Sequence, residues 1–128
     1  MKKYDINEFN QIMRIRTRNF AIRVFKAAGT LKLNELSRIP VKQLVRSSSS
    51  VAANYYSATR GRSEAEYYSK ICIVVEEADE VMFWVDFLME VGGMSTAQAK
   101  DLLAEAEELL KIFSSIKKKL KLKRTLST

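Results

Sequence analysis

The sequence predicts an all-α protein, an antiparallel up-down-up-down four-helix bundle, and three observations carry that prediction. The chain has 128 residues, is 47% hydrophobic and holds only four glycines and one proline. That is the makeup of one helical domain, long enough to bury roughly two thirds of its unfolded surface. Apolar residues recur at intervals of three and four along four separate stretches, the repeat that places them on one face of a helix. Cap and turn signals divide these stretches, whereas no Asn-Gly or Asp-Gly hairpin and no sustained alternation argues for a strand.

The first helix is expected over about 5–28, with Ile6, Phe9, Met13, Phe20, Val24 and Ala27/Ala28 on its apolar face and a stop near Gly29. Ser37 and Pro40 suit the opening of a second helix that runs to about Arg60. Its stripe is Val41, Leu44/Val45, Ser48, Val51/Ala52, Tyr55 and Ala58/Thr59. Small side chains in the run Ser47 to Ser50 allow close helix contact there. Gly61 stops this helix, and Ser63 with Glu66 three residues on forms a capping box for a third.

The third helix carries the sharpest pattern. Tyr67, Ile71, Val74, Ala78, Val81, Val85 and Leu88 follow one another at alternating spacings of 4 and 3, a heptad seam. Gly92-Gly93 ends it, and Ser95 with Gln98 makes a second capping box. The fourth helix repeats the seam with Leu102, Ala106, Leu109, Phe113, Ile116 and Leu120. A single domain over 1–122 is expected, followed by a basic disordered tail over 123–128.

Several kinds of chemistry are disfavoured by composition. With no histidine in the chain there is no Ser-His-Asp or Cys-His site and no zinc site of the common Cys/His kinds. The lone Cys72 has no internal disulfide partner and reads as an inert packing residue, in keeping with a reducing cytoplasm. No window approaches the ~20 apolar residues of a membrane span. The expectation is a cytoplasmic protein with no catalytic residues, no cofactor, no bound metal and no membrane contact.

Charge is partitioned along the chain. Residues 1–63 hold 13 Lys/Arg against 3 Asp/Glu, residues 64–116 hold 3 against 12, and residues 117–128 hold six basic residues and no acid, for a net charge of +7. Basic and acidic stretches of this kind suggest surfaces that meet, with a cationic excess left for a polyanion. The candidate nucleic-acid contacts are Arg14, Arg16, Arg18 and Arg23 in the first helix. Lys117, Lys118, Lys119, Lys121, Lys123 and Arg124 extend the set at the C-terminal end. Together they favour salt-dependent, weakly sequence-specific contact with the phosphate backbone of RNA or DNA.

The acids of "VVEEADEVMFW" are expected to be structural. Glu77 lies about 75° from the centre of the third helix's seam, and Glu76, Asp79 and Glu80 lie beyond about 120°. They are expected to pair with arginines such as Arg46, Arg60 or Arg62 across helices or subunits. Asn54 shares a face with Arg46 and Ser50 and is expected to bridge to an acid of the third helix. Because Cys72, Ile73, Val75, Met82, Phe83, Trp84 and Phe87 also lie off the seam, this helix is apolar nearly all round and needs cover on more than one side. Homo-oligomerisation follows, with Phe83, Trp84 and Phe87 as contacts.

The stretches "RTRNFAIRVFKAA" and "VKQLVRSSSSVAANYYSATRGRSEAEYYSKICIVVEEADEVMFWVDFLMEVG" resemble the four helix bundle proteins encoded in intervening sequences of bacterial 23S ribosomal RNA genes. The most specific parts are Leu44-Val45-Arg46-Ser47, Ser50-Val51 with Asn54, the Arg62-Ser63 cap, and Glu76-Glu77-Ala78-Asp79-Glu80 with Trp84. The resemblance implies an up-down bundle assembled as a homopentameric ring, no known catalytic activity, and association with nucleic acid. A related branch, the accessory proteins of diversity-generating retroelements, works with a reverse transcriptase and its RNA and supplies the alternative reading. An oligomeric protein scaffold, with incidental basic ends, is the alternative of another class.

Overall fold

A computed structural model describes residues 5–126 as four α-helices in chain order, and among the described residues there is no strand. Helix α1 spans Ile6–Gly29, α2 Arg38–Ala58, α3 Glu64–Glu90 and α4 Thr96–Leu126. Each opening has a local cause. The Asp5 side chain accepts a hydrogen bond from the Glu8 amide at 2.8 Å, satisfying one of the amides that a helix start leaves without a partner. At α3, Ser63 Oγ accepts from the Glu66 amide while Glu66 Oε2 accepts from the Arg62 amide. Ser95 Oγ accepts from the Gln98 amide at the start of α4.

Helix α2 opens differently. Ser37 makes no side-chain cap; instead Asn34 Oδ1 accepts from the Leu36 and Ser37 amides, each at 2.9 Å. This turn feeds the chain into a first helical turn that holds Pro40, where a missing amide hydrogen costs nothing. Helix α3 ends at a turn in which Gly92 has φ +74°, a left-handed conformation that glycine adopts without a steric penalty.

The helices pack in sequence, α1 on α2, α2 on α3 and α3 on α4, while α1 and α4 approach each other least closely. Residue numbers run in opposite directions at every contact, as with Tyr55 against Asn10, Arg46 against Glu77, and Lys123 against Glu64. The helices are therefore antiparallel neighbours, with α2 and α4 on opposite corners.

The core follows the seams. Ile71, Val74, Ala78, Val81, Val85 and Leu88 of α3 are buried, as are Leu102, Ala106, Leu109 and Phe113 of α4. Tyr55 and Phe113 stack at a tilt with ring centroids 5.0 Å apart in the centre. Polar atoms inside are satisfied: Thr17 Oγ1 donates to the Met13 carbonyl, and Ser47 and Ser48 hydroxyls donate to the Leu44 and Val45 carbonyls. Small hydroxyls thus keep α2 narrow without stranding a donor.

Two departures from the sequence reading concern boundaries. Helix α4 does not stop at 122: Lys123 to Leu126 continue it, so the tail expected over 123–128 is helical as far as it is described, and 127–128 lie outside the described residues. Lys, Leu and Arg are strong helix formers, and the last turn is tied to α3 by Lys123 with Glu64 and by Arg124 over the Tyr68 ring at 4.9 Å. Helix α2 stops at Ala58, two residues short of Arg60.

Candidate nucleic-acid interface

The arginines of α1 divide into two sets because a helix turns about 100° per residue. Arg16 and Arg23 are seven apart and share a face, and that face meets the acids of α4. Arg16 donates to both carboxylate oxygens of Glu105, at 2.9 and 2.7 Å, and lies 3.6 Å from Glu108. This fork raises the affinity of the Arg16 guanidinium for its proton through the Glu105 hydrogen bond. Arg23 reaches Asp101 at 2.8 Å. Both residues are paired with acids across the α1–α4 seam.

Arg14 and Arg18, four apart, point to the other side. They line a groove of about 880 Å³ between α1 and α2, together with Ile15, Ala53 and Tyr56. Neither makes an ion pair among the described residues.

The acids of α3 are placed by Arg46. Its guanidinium reaches Glu77 at 3.0 Å and Glu80, while its Nε donates to Gln43. The Glu80 hydrogen bond raises the Arg46 proton affinity. Glu80 also accepts from Trp84 Nε1 at 3.2 Å, which fixes the indole over the same face. Glu76 and Asp79 are exposed and make no ion pair among the described residues. No group of three carboxylates or thiolates converges to hold a metal among the described residues.

Three expectations about partners are corrected. Asn54 does not reach α3; its side-chain amide donates to Ser50 carbonyl and Oγ, both 2.9 Å away, because the i−4 oxygens on its own helix are nearer than any acid. Among the described residues Arg60 pairs with no acid. It donates to the Tyr56 hydroxyl at 2.7 Å and lies over the Tyr56 ring at 5.2 Å from its centroid. Arg62 meets Glu66 only through its backbone amide, because the Glu66 carboxylate is spent on the helix start.

Freed of acids, Arg60 and Arg62 belong to the basic set. They line a second groove, of about 660 Å³, with Tyr56, Glu66 and Lys70 at the turn between α2 and α3. Antiparallel packing brings this turn to the same end of the bundle as the last turns of α4, where Lys117, Lys118, Lys119 and Lys121 extend the charge on the far corner. One end of the molecule thus gathers cations from the α2–α3 turn and from α1, α3 and α4. Sequence reasoning missed Lys70 and Tyr56 as members. The signal was present: Ser49, Ala53, Tyr56 and Arg60 repeat at 4, 3 and 4, an outward stripe beside the buried one.

The opposite end carries an apolar groove beside the exposed cations Lys32, Arg38 and Lys42. Leu36 and Ile39 of the α1–α2 connection stand beside Phe83, Trp84, Phe87 and Val91 around a groove of about 580 Å³. Leu36 is 80% and Phe83 56% exposed. Phe83 and Trp84 meet edge to face at 4.8 Å, and Trp84 and Phe87 at 5.7 Å. The three rings form one exposed aromatic cluster.

Residues 10–115 match the model of the 23S rRNA-intervening sequence protein family. The chain belongs to that family. A protein of unknown function from the S23 ribosomal protein family of Bacteroides thetaiotaomicron VPI-5482 has a similar crystal structure, at TM-score 0.75 and 26% identity over 82% of this chain and 97% of that one. No curated protein matches significantly. Both grooves and the apolar end lie within the matched residues, whereas Lys117 to Arg124 fall just beyond them. Among the described residues, no helix is long and apolar enough to cross a membrane.

Proposed function

We propose that this 23S rRNA-intervening sequence protein is a non-enzymatic, oligomeric, cytoplasmic protein that binds RNA through the basic end of its bundle. The observation that carries the reading is the division of its cations. Arg16, Arg23 and Arg46 are tied to acids, whereas Arg14 and Arg18 along the α1–α2 groove, and Arg60, Arg62 and Lys70 at the α2–α3 turn, make no ion pair among the described residues and line two grooves that meet at Tyr56. A cation held without a counter-charge retains its attraction for phosphate, and several of them release bound counterions on binding. Family membership makes RNA the polyanion of choice.

Self-association belongs to the same proposal. The apolar end supplies an aromatic anchor of the kind that dominates interfaces, and the family resemblance implies a ring of five. A ring would set the basic ends side by side and multiply their contacts with one RNA.

The test is to crosslink the protein to nucleic acid in cells, purify it under denaturing conditions and sequence what stays attached. Enrichment of ribosomal RNA near an intervening-sequence site supports the proposal. Enrichment of a retroelement template RNA keeps the binding and moves the target to the retroelement reading. Recovery no better than an uncrosslinked control overturns the RNA reading in favour of a protein scaffold.

A further inference from the structure

Tyr56 is the residue that the two grooves of the basic end share. It faces outward, 50% exposed, while its neighbour Tyr55 is fully buried. A one-residue step on a helix turns a side chain through about 100°, so the pair "YY" splits between core and surface. A single half-exposed tyrosine is ordinary on a protein surface, so its neighbours decide what it can bind.

Arg60 of the α2–α3 turn lies against the face of Tyr56, Arg14 and Arg18 of α1 line one groove with it, and Arg62 of the turn and Lys70 of α3 line the other. Among the described residues, the one acid lining either groove is Glu66, whose Oε2 accepts from the Arg62 amide at 2.6 Å. An apolar peptide would leave this cationic frame unused, and an acidic peptide would leave the ring unused. A polynucleotide uses both, since its phosphates meet the guanidinium and ammonium groups while a base meets the aromatic face. Bases inside a duplex have both faces occupied by neighbours, so a stacking platform selects an unpaired base.

We infer that Tyr56, framed by Arg14, Arg18, Arg60, Arg62 and Lys70, is a stacking platform for single-stranded RNA laid across the α1–α2 and α2–α3 grooves. This rests on the RNA-binding proposal and names the class of RNA and the face of the bundle that takes it. The lysines of α4 lie on the opposite corner and add attraction for any polyanion without reading strandedness. Arg60 holds the ring by its hydroxyl and by its face at once, which pre-sets the platform before RNA arrives.

The experiment measures the affinity of the full chain for oligouridine and for a duplex RNA of the same length, by fluorescence anisotropy across a salt series. Tyr56→Ala is expected to weaken oligouridine binding by about five-fold to a hundred-fold and to leave duplex binding unchanged. Tyr56→Phe keeps the ring and is expected to stay within about two-fold of the parent. Arg14→Gln with Arg18→Gln is expected to lower the salt slope for oligouridine by roughly 0.7 per cation removed. Melting curves confirm that each variant is folded.

Tyr56→Ala binding as well as the parent, with the arginine variants still weakened, overturns the platform and leaves the basic end as a plain electrostatic surface. Tyr56→Phe falling as far as Tyr56→Ala overturns stacking in favour of the hydroxyl contact to Arg60. Parental protein that binds neither RNA in a salt-dependent way overturns this inference and the RNA-binding proposal together.

Discussion

Arg16 on α1 and Glu105 on α4 form a two-point ion pair, at 2.9 and 2.7 Å, across the seam where the bundle is least closely packed. The Glu105 side chain is only 20% exposed, so the pair is partly shielded from solvent and stronger than an exposed one.

A division of labour among the α1 arginines follows. Arg16→Gln is expected to cost about 1–2 kcal/mol of stability and to leave RNA affinity unchanged, whereas Arg18→Gln is expected to do the reverse. Urea unfolding and RNA titration of the same two variants check this.

Phe113 anchors the core by packing on Tyr55 at 5.0 Å with its ring fully buried. Phe113→Ala is expected to destabilise the fold by about 3–5 kcal/mol through lost contacts and the cavity left behind. Chemical denaturation monitored by circular dichroism reads the loss.

Burial raises the pKa of the Tyr55 phenol above its ordinary value, and the hydroxyl donates to Asn10 Oδ1 at 3.1 Å. A raised folded-state pKa means the folded protein holds this proton more tightly than the unfolded chain does. The resulting stability is fully present below about pH 10, the ordinary tyrosine value, and is lost as the pH rises through the folded value. Tyr55→Phe is expected to show a shallower alkaline loss of melting temperature than the parent. Melting curves at several alkaline pH values compare them.

Phe83 and Phe87 stand open beside Trp84 at the apolar end. On the proposed self-association through this end, Phe83→Ser with Phe87→Ser is expected to give a smaller species than the parent while leaving monomer stability within about 0.5 kcal/mol. Sedimentation equilibrium and thermal melting separate the two effects.

Much of this was legible in the residues. The α3 seam from Ile71 to Leu88 could be read directly because a heptad over that length has one solution, a helix with one buried stripe. Charge was legible as a sum along the chain and illegible as a pattern in space. Arg14 and Arg16 are near neighbours in sequence and point to opposite sides, and only the position of α4 decides which of them finds an acid. Arg60 is a similar case: its partner is Tyr56, four residues back along the chain. Asn54 shows local geometry prevailing, with oxygens four residues back outcompeting any partner across the bundle. The end of α4 was misread because a run of lysines resembles a frayed tail, while Glu64 of α3 stands within reach of Lys123.

The central claim, that unpaired cations at one end of the bundle bind RNA, is tested most directly by the slope of RNA affinity against salt. With six phosphates neutralised, the affinity is expected to fall by roughly 10³ between about 50 and 200 mM salt. The slope should flatten when Arg14, Arg18 and Arg60 are replaced by glutamine and hold when Arg16 and Arg23 are replaced. A flat response in the parent, or a slope indifferent to which arginines are removed, would contradict the account.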